Sequence, residues 1–183
     1  MEVRFLSANK FKIQEASEIL QSSDISVVPI MEKIEEIQTE DSLRLVRDKA
    51  LKAFKTIGKP LFVEHTGLYI DFMNGLPGGL TQIFWDSLGA DKFAELFGKA
   101  SNNELTAKTI IAYVDGKQFH IFEGSIKGHV PSVPKGNRDF QWDCVFIPQG
   151  KKKTFAEMGK DKNKISMRRL ALNKFANFLG GLR

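Results

Sequence analysis

Apolar and polar positions alternate between two periods along this chain, and the switches between them outline the elements. Val3–Leu6 is a short apolar run that reads as a strand. Lys10–Leu20 carries Ala16, Ile19 and Leu20 at helical spacing. Ile25–Ile30 reads as a second strand, followed by an acidic stretch from Met31 to Asp41. A helix is predicted from Ser42, with Leu43, Val46, Ala50 and Ala53 on one face, Asp41 or Ser42 as its cap, and Gly58 and Pro60 to stop it. Leu61–Val63 is a third buried strand, and Thr66–Asn74 continues extended into the turn residues Asn74-Gly75 and Pro77-Gly78-Gly79. Asp91–Gly98 reads as a helix. Thr106–Val114 and Gln118–Phe122 alternate about Asp115-Gly116, which predicts a hairpin. Val145–Ile147 is a short strand, and Ile165–Leu179 a final helix. Units of βα type beside a long antiparallel ribbon imply an α/β fold with a second lobe.

Composition narrows the class. The 183 residues suit one folding unit, and 42% hydrophobic content supports a core. Twenty-seven basic against 22 acidic residues give a net charge of +5, which favours anionic partners but is too small to demand nucleic acid. The single cysteine, Cys144, excludes an internal disulfide or a cysteine-built zinc site. The start MEVRFLSANK has no apolar run behind a basic segment, so no signal peptide is expected. No run of 18 apolar residues occurs, so no membrane span is expected, and the lone cysteine fits a reduced, cytoplasmic location.

Five constellations could carry chemistry. Ser7-Ala8-Asn9-Lys10-Phe11-Lys12 joins a strand to a helix start, where backbone N–H groups, Ser7, Asn9 and two lysines could receive phosphate. Without glycines it is no Walker loop, and an ordinary turn is the competing reading. Glu35, Glu36, Glu40 and Asp41 could hold a magnesium ion on a triphosphate, with Lys49 and Lys52 facing the phosphates; a solvated helix start is the alternative. Glu64-His65-Thr66-Gly67 ends a buried strand, where ligands bind in α/β sheets, and His65 could be a base, a ligand or a structural histidine. Phe140 and Trp142 flank Gln141 and could hold a flat base, with Asp143 accepting from a ring N–H, or they could be core aromatics. Lys162 to Arg169 is a basic helix start that suits a base carbonyl or a phosphate.

The order of these motifs resembles the inosine triphosphate pyrophosphatase (ITPase) family of noncanonical purine NTP pyrophosphatases. Ser7–Lys12 is similar to T-G-N-x-x-K, Glu64–Leu68 to E-D-[ST]-G-L, and Leu76-Pro77-Gly78 to x-P-G. Phe140–Asp143 is similar to F-G-[YW]-D, Thr154–Met158 to T-[FY]-A-E-[ML], and Lys162–Arg168 to K-N-x-[IV]-S-H-R. The likeness spans Val3 to about Leu179.

The resemblance implies a two-lobed α/β fold over residues 1–183, with a long mixed central sheet and a cleft between the lobes. It also implies a homodimer that takes ITP, dITP or XTP with Mg²⁺ and releases the monophosphate and pyrophosphate. By the same resemblance Ser7, Asn9 and Lys12 hold phosphates, Lys49 reaches the triphosphate, and Glu36, or Glu40 if one residue is inserted, binds metal. Phe140, Trp142, Asp143, Lys162, Ser166 and Arg168 form the base site.

The departures concentrate in catalysis. His65 stands where the family has an aspartate, and an imidazole is a poor substitute for a hard oxygen ligand of magnesium. His65, Glu64 and Lys12 are the remaining catalytic candidates, with Glu64 on the opposite face of a regular strand from His65. Met167 replaces a histidine, Gln141 a glycine and Cys144 a proline. The first expectation is therefore a nucleotide sensor with little hydrolysis, acting on an effector protein in stress signalling or antiviral defence. The second is a working house-cleaning pyrophosphatase that uses His65 or Glu64.

Overall fold

The computed structural model describes residues 1–181; the last two residues of the expected 1–183 unit lie outside the described ones. Six strands form one mixed sheet in the order β2-β1-β3-β4-β5-β6. β1 (Glu2–Leu6) runs parallel to β2 (Ser26–Ile30) and to β3 (Leu61–Ile70). β4 (Glu104–Val114), β5 (Phe119–His129) and β6 (Ile147–Pro148) continue the sheet antiparallel. The parallel part is wrapped by α1 (Lys10–Gln21), α2 (Ser42–Ile57) and α5 (Met167–Gly181). The far end is covered by α3 (Thr81–Phe97) and the short α4 (Phe155–Met158).

Strand alternation decides which helix each side of the sheet meets. Phe62 faces α1 and α5 in a cluster with Phe5, Ile19, Leu20 and Phe175. Leu61 and Val63 face α2 and pack on Val46, Ala50 and Ala53. Beyond Gly67 the same strand enters a third cluster, where Leu68 and Ile70 meet Phe93, Phe97, Trp142 and Phe146. β3 and β4 thus run through both lobes, and Glu64, His65 and Thr66 fall at the crossing.

Several elements differ from the sequence expectation: β5 runs to His129, seven residues beyond Phe122, and α4 is not among the expected elements. β3 is one ten-residue strand rather than two pieces. α3 begins ten residues before Asp91, and Gly89, at φ 66° and ψ 175°, breaks it into two helical pieces whose apolar residues are out of phase. Val145 belongs to a 3-10 turn, Gln141–Val145, instead of a strand. The turn at Pro77-Gly78-Gly79 docks on the acidic stretch: Gly79 N donates to Glu40 O at 2.9 Å, and a Cβ on Gly79 would lie 2.1 Å from Thr39 O. Only glycine permits that approach. No described helix is long and apolar enough to cross a membrane.

Candidate active site

A cleft of about 500 Å³ opens where β1 ends beside the middle of β3, within the size range of small-molecule sites. The β1–α1 turn, the acidic stretch, α2, the middle of β3 and the start of α3 all line it, through residues that include Ser7, Asn9, Lys12, Glu36, Lys49 and His65. A second cavity of about 10 Å³ adjoins it, lined by Phe140, Asp143, Lys162, Met167 and Arg168. That volume holds about one water, so a purine enters only if Phe140 or its neighbours move.

The β1–α1 turn is built differently from the expected ring of free N–H donors. Asn9 Oδ1 caps the helix, accepting from Phe11 N at 3.0 Å and Lys12 N at 3.1 Å, and Ser7 Oγ accepts from Asn9 N at 3.2 Å. What remains for an anion includes the Lys12 ammonium, the Ser7 hydroxyl and the Asn9 side-chain NH₂. Burial lowers the Lys12 pKa against the opposing pull of Glu64.

Glu64 and His65 point to opposite faces of β3, as alternation requires, yet both line the cleft. Glu64 faces α1 and α5. Arg168 grips it with Nε at 2.7 Å and Nη2 at 2.8 Å, Lys12 Nζ lies 3.4 Å away, and Thr66 donates to it at 2.9 Å. Burial alone would raise the Glu64 pKa, but the two cations overcome it and hold the carboxyl well below the usual carboxylate range. His65 faces α2. Burial first, then Lys12 and Lys49, push its pKa down to about 4, so the ring is neutral at physiological pH. Its Nε2 is buried without a hydrogen-bond partner among the described residues.

Lys49 donates to Glu36 at 2.6 Å across the cleft, and Glu36 is held below its ordinary pKa by that ammonium in spite of burial. Glu40 is placed elsewhere: its side chain is exposed and outside the cleft lining, while its backbone anchors the glycine turn. Glu36 is therefore the better placed of the two proposed metal carboxylates. Among the described residues no three His, Cys, Asp or Glu side chains converge as a metal site. Of the other carboxylates in the cleft lining, Glu32, Glu64 and Asp86, Glu64 is already neutralised by Arg168 and Lys12, and Asp86 accepts from Gln82. This donor set fits a hard cation that arrives on triphosphate oxygens, with Glu36 facing it, rather than an ion resident in the protein.

The base-site candidates gather around the small cavity, with two corrections. Because Phe140 leads into a 3-10 turn, Phe140 and Trp142 do not project in parallel. Phe140 stacks on Phe11 at 5.1 Å and lies 4.3 Å from Lys162 Nζ. Trp142 is buried against Phe146 and lines both cavities, so it is a core residue as well as a wall. Ser166 is fully buried and lines neither cavity; its Oγ accepts from Arg169 N at 3.1 Å at the start of α5, which fixes the helix that carries Arg168. Lys162 bonds Asp143 at 2.6 Å and Glu15 at 2.8 Å, and Arg168 also bonds Glu15. Burial raises the Asp143 pKa to about 6, with Lys162 opposing. Glu15 escapes a reading of the sequence, although it lies one turn after Lys12 on the same face of α1. Lys33 and Gln82, which also line the cleft, carry no local signal either.

The chain is similar in sequence and in fold to known proteins. The model of the Ham1 family matches residues 3–178. A dITP/XTP pyrophosphatase of Thermococcus kodakarensis is 33% identical over 181 residues, covering 98% of this chain and 97% of its own. An inosine triphosphate pyrophosphatase of Candida glabrata is 36% identical over 187 residues, covering 97% of each chain. Among solved structures, a HAM1 protein from Coxiella burnetii superposes with a TM-score of 0.84 at 25% identity, over 99% of both chains.

Proposed function

The chain belongs to the Ham1 family, and from that premise we propose that it hydrolyses deaminated purine nucleoside triphosphates such as dITP, ITP and XTP. The products are the nucleoside monophosphate and pyrophosphate. The observation that carries this reading is the meeting of Lys12, Lys49 and a neutral His65 in one cleft beside the middle of β3.

Lys12 and Lys49 supply point charges for the triphosphate, with Ser7 and Asn9 at its edge. Magnesium bound to the triphosphate would neutralise charge on the phosphate oxygens, and Glu36 would face it. Water attacks the α-phosphorus, the bond to the bridging oxygen of the β-phosphate breaks, and its electron pair leaves with pyrophosphate. His65 takes the proton from the attacking water, and the lysines stabilise charge on the leaving oxygen. Glu64 takes no part in that proton transfer. Held ionised by Arg168 and Lys12, it orients Lys12. Phe140, Trp142, Asp143, Lys162 and Arg168 form the base pocket, with Ser166 behind them.

A sensor without hydrolysis is the sequence's first expectation because His65 replaces a carboxylate. The names of the relatives support the working enzyme better, and His65 lines the cleft as a neutral imidazole. Pyrophosphate release from dITP with magnesium separates the two readings. Steady turnover by the wild type is expected; tight binding of intact dITP with no release would restore the sensor.

Lys12→Ala should weaken dITP binding by roughly 10- to 100-fold, since a hydrogen bond to a charged group contributes about 1.5–3 kcal/mol. Neutralising the exposed run Lys151, Lys152 and Lys153, which lies outside the cleft lining, should change affinity less than that single substitution. Calorimetry with dITP and with inosine checks both; an equal loss in the two variants would mean that diffuse charge, rather than this cleft, binds the nucleotide.

A further inference from the structure

Gln141 stands at φ 44°, in the left-handed region that non-glycine residues seldom occupy. Its side chain ties the 3-10 turn after Phe140 to helix α3, with Nε2 donating to Gln82 Oε1. Gln82 Nε2 in turn donates to Asp86 Oδ1 at 2.7 Å. This chain of bonds has only one sense. An ionised carboxylate can only accept, so Asp86 takes the NH₂ end of Gln82, Gln82 presents its oxygen to Gln141, and Gln141 must answer with its own NH₂. The Gln141 Oε1 is left as an oriented acceptor.

The place of that acceptor gives it a use. Gln141 is one of four residues, with Lys12, Thr66 and Trp142, that line both the large cleft and the small cavity beside Phe140. A nucleotide with its triphosphate along Lys12 and Lys49 and its base beside Phe140 must carry its sugar across this junction. Sugar hydroxyls are donors in need of an acceptor. We propose that Gln141 is a specificity-determining residue that accepts a hydrogen bond from a sugar hydroxyl of the substrate, held in position by Gln82 and Asp86. The proposal rests on the cleft being a nucleotide site. It assigns a role to a side chain that occupies a backbone conformation glycine would fill without strain.

The test compares kcat/KM for ITP, its 2′-deoxy analogue and its 3′-deoxy analogue. Gln141→Gly removes the acceptor and suits the positive φ, so the variant should fold. The wild type is expected to favour ITP over one of the deoxy analogues by roughly 3- to 10-fold, the range of one neutral hydrogen bond. In Gln141→Gly the rate with ITP should fall to that of this analogue, and the analogue's own rate should stay the same. Gln82→Ala, which frees the Gln141 amide to rotate, should reduce the preference in the same direction. The proposal is overturned if the wild type treats all three alike, if its preference persists in Gln141→Gly, or if that variant loses rate equally on all three. If the wild type binds but cleaves none of them, the same ratios are read from dissociation constants by calorimetry. A chain that binds none of them overturns the nucleotide reading, and this proposal with it.

Discussion

His65→Gln is expected to lower kcat for dITP by about 10²- to 10⁴-fold, the usual contribution of a general base, with little change in dITP affinity. Glutamine keeps a neutral polar side chain of similar size but cannot take a proton from water. The pH profile identifies the group. His65 is held down to about 4 by burial and by Lys12 and Lys49, so kcat/KM of the wild type should fall as pH drops through about 4, where the ring gains its proton. A bound triphosphate offsets the charge of both lysines and removes part of the cause of the low value. The acid limb of kcat, which reports the complex, should therefore lie at higher pH than the limb of kcat/KM. In His65→Gln both limbs assigned to this ring should vanish. A variant within twofold of the wild type across the pH range would show that His65 is not the base.

Much of this site can be read along the chain because strand period and helix caps are local. The alternation Leu61, Val63, His65 against Phe62, Glu64, Thr66 already places the histidine and the glutamate on opposite faces of β3. The apolar face of α2 and the Asp41 cap are legible for the same reason. Asn9 reads as a phosphate donor because its use as a helix cap and as a ligand residue draw on the same residue type in the same turn.

What the sequence hides depends on partners distant in the chain or on departures from regular period. Arg168 and Glu64 are 104 positions apart, and nothing local tells that an arginine beside a basic run is fully buried. Gln82 and Gln141 are 59 apart. Strand alternation would project Trp142 beside Phe140, and the 3-10 turn removes that geometry. The first half of α3 is invisible to a periodicity argument because the break at Gly89 puts its apolar residues out of phase with the second half. The lowered pKa of His65 is likewise a product of folding, since its largest cause is burial, to which Lys12 from α1 and Lys49 from α2 add.

Arg168→Ala is expected to cost about 3–5 kcal/mol of stability, the range for removing one partner of a buried ion pair. Arg168 is 1% exposed and bonds both Glu64 and Glu15. Its loss would leave the fully enclosed Glu64 carboxylate with Lys12 and Thr66 alone. For a chain of this length the midpoint of thermal unfolding should fall by roughly 6–20 °C. The sign of the pH dependence separates this cause from a packing defect. Glu64 is held below its ordinary value of 4.5 in the folded chain, so the unfolded chain takes up its proton first as pH falls. The stabilisation from the pair is thus complete above about pH 4.5 and is lost progressively below it. Without the guanidinium, the Glu64 pKa is depressed less and the wild-type loss of stability in acid should become shallower. Arg168→Met restores apolar volume but no charge, and should remain close to the alanine variant in acid slope. Adding Glu64→Gln to Arg168→Met removes the buried charge as well and should recover part of the lost melting temperature. If Arg168→Met alone restored wild-type stability, packing would account for the arginine. The ion pair would then serve only to orient Lys12 towards the cleft.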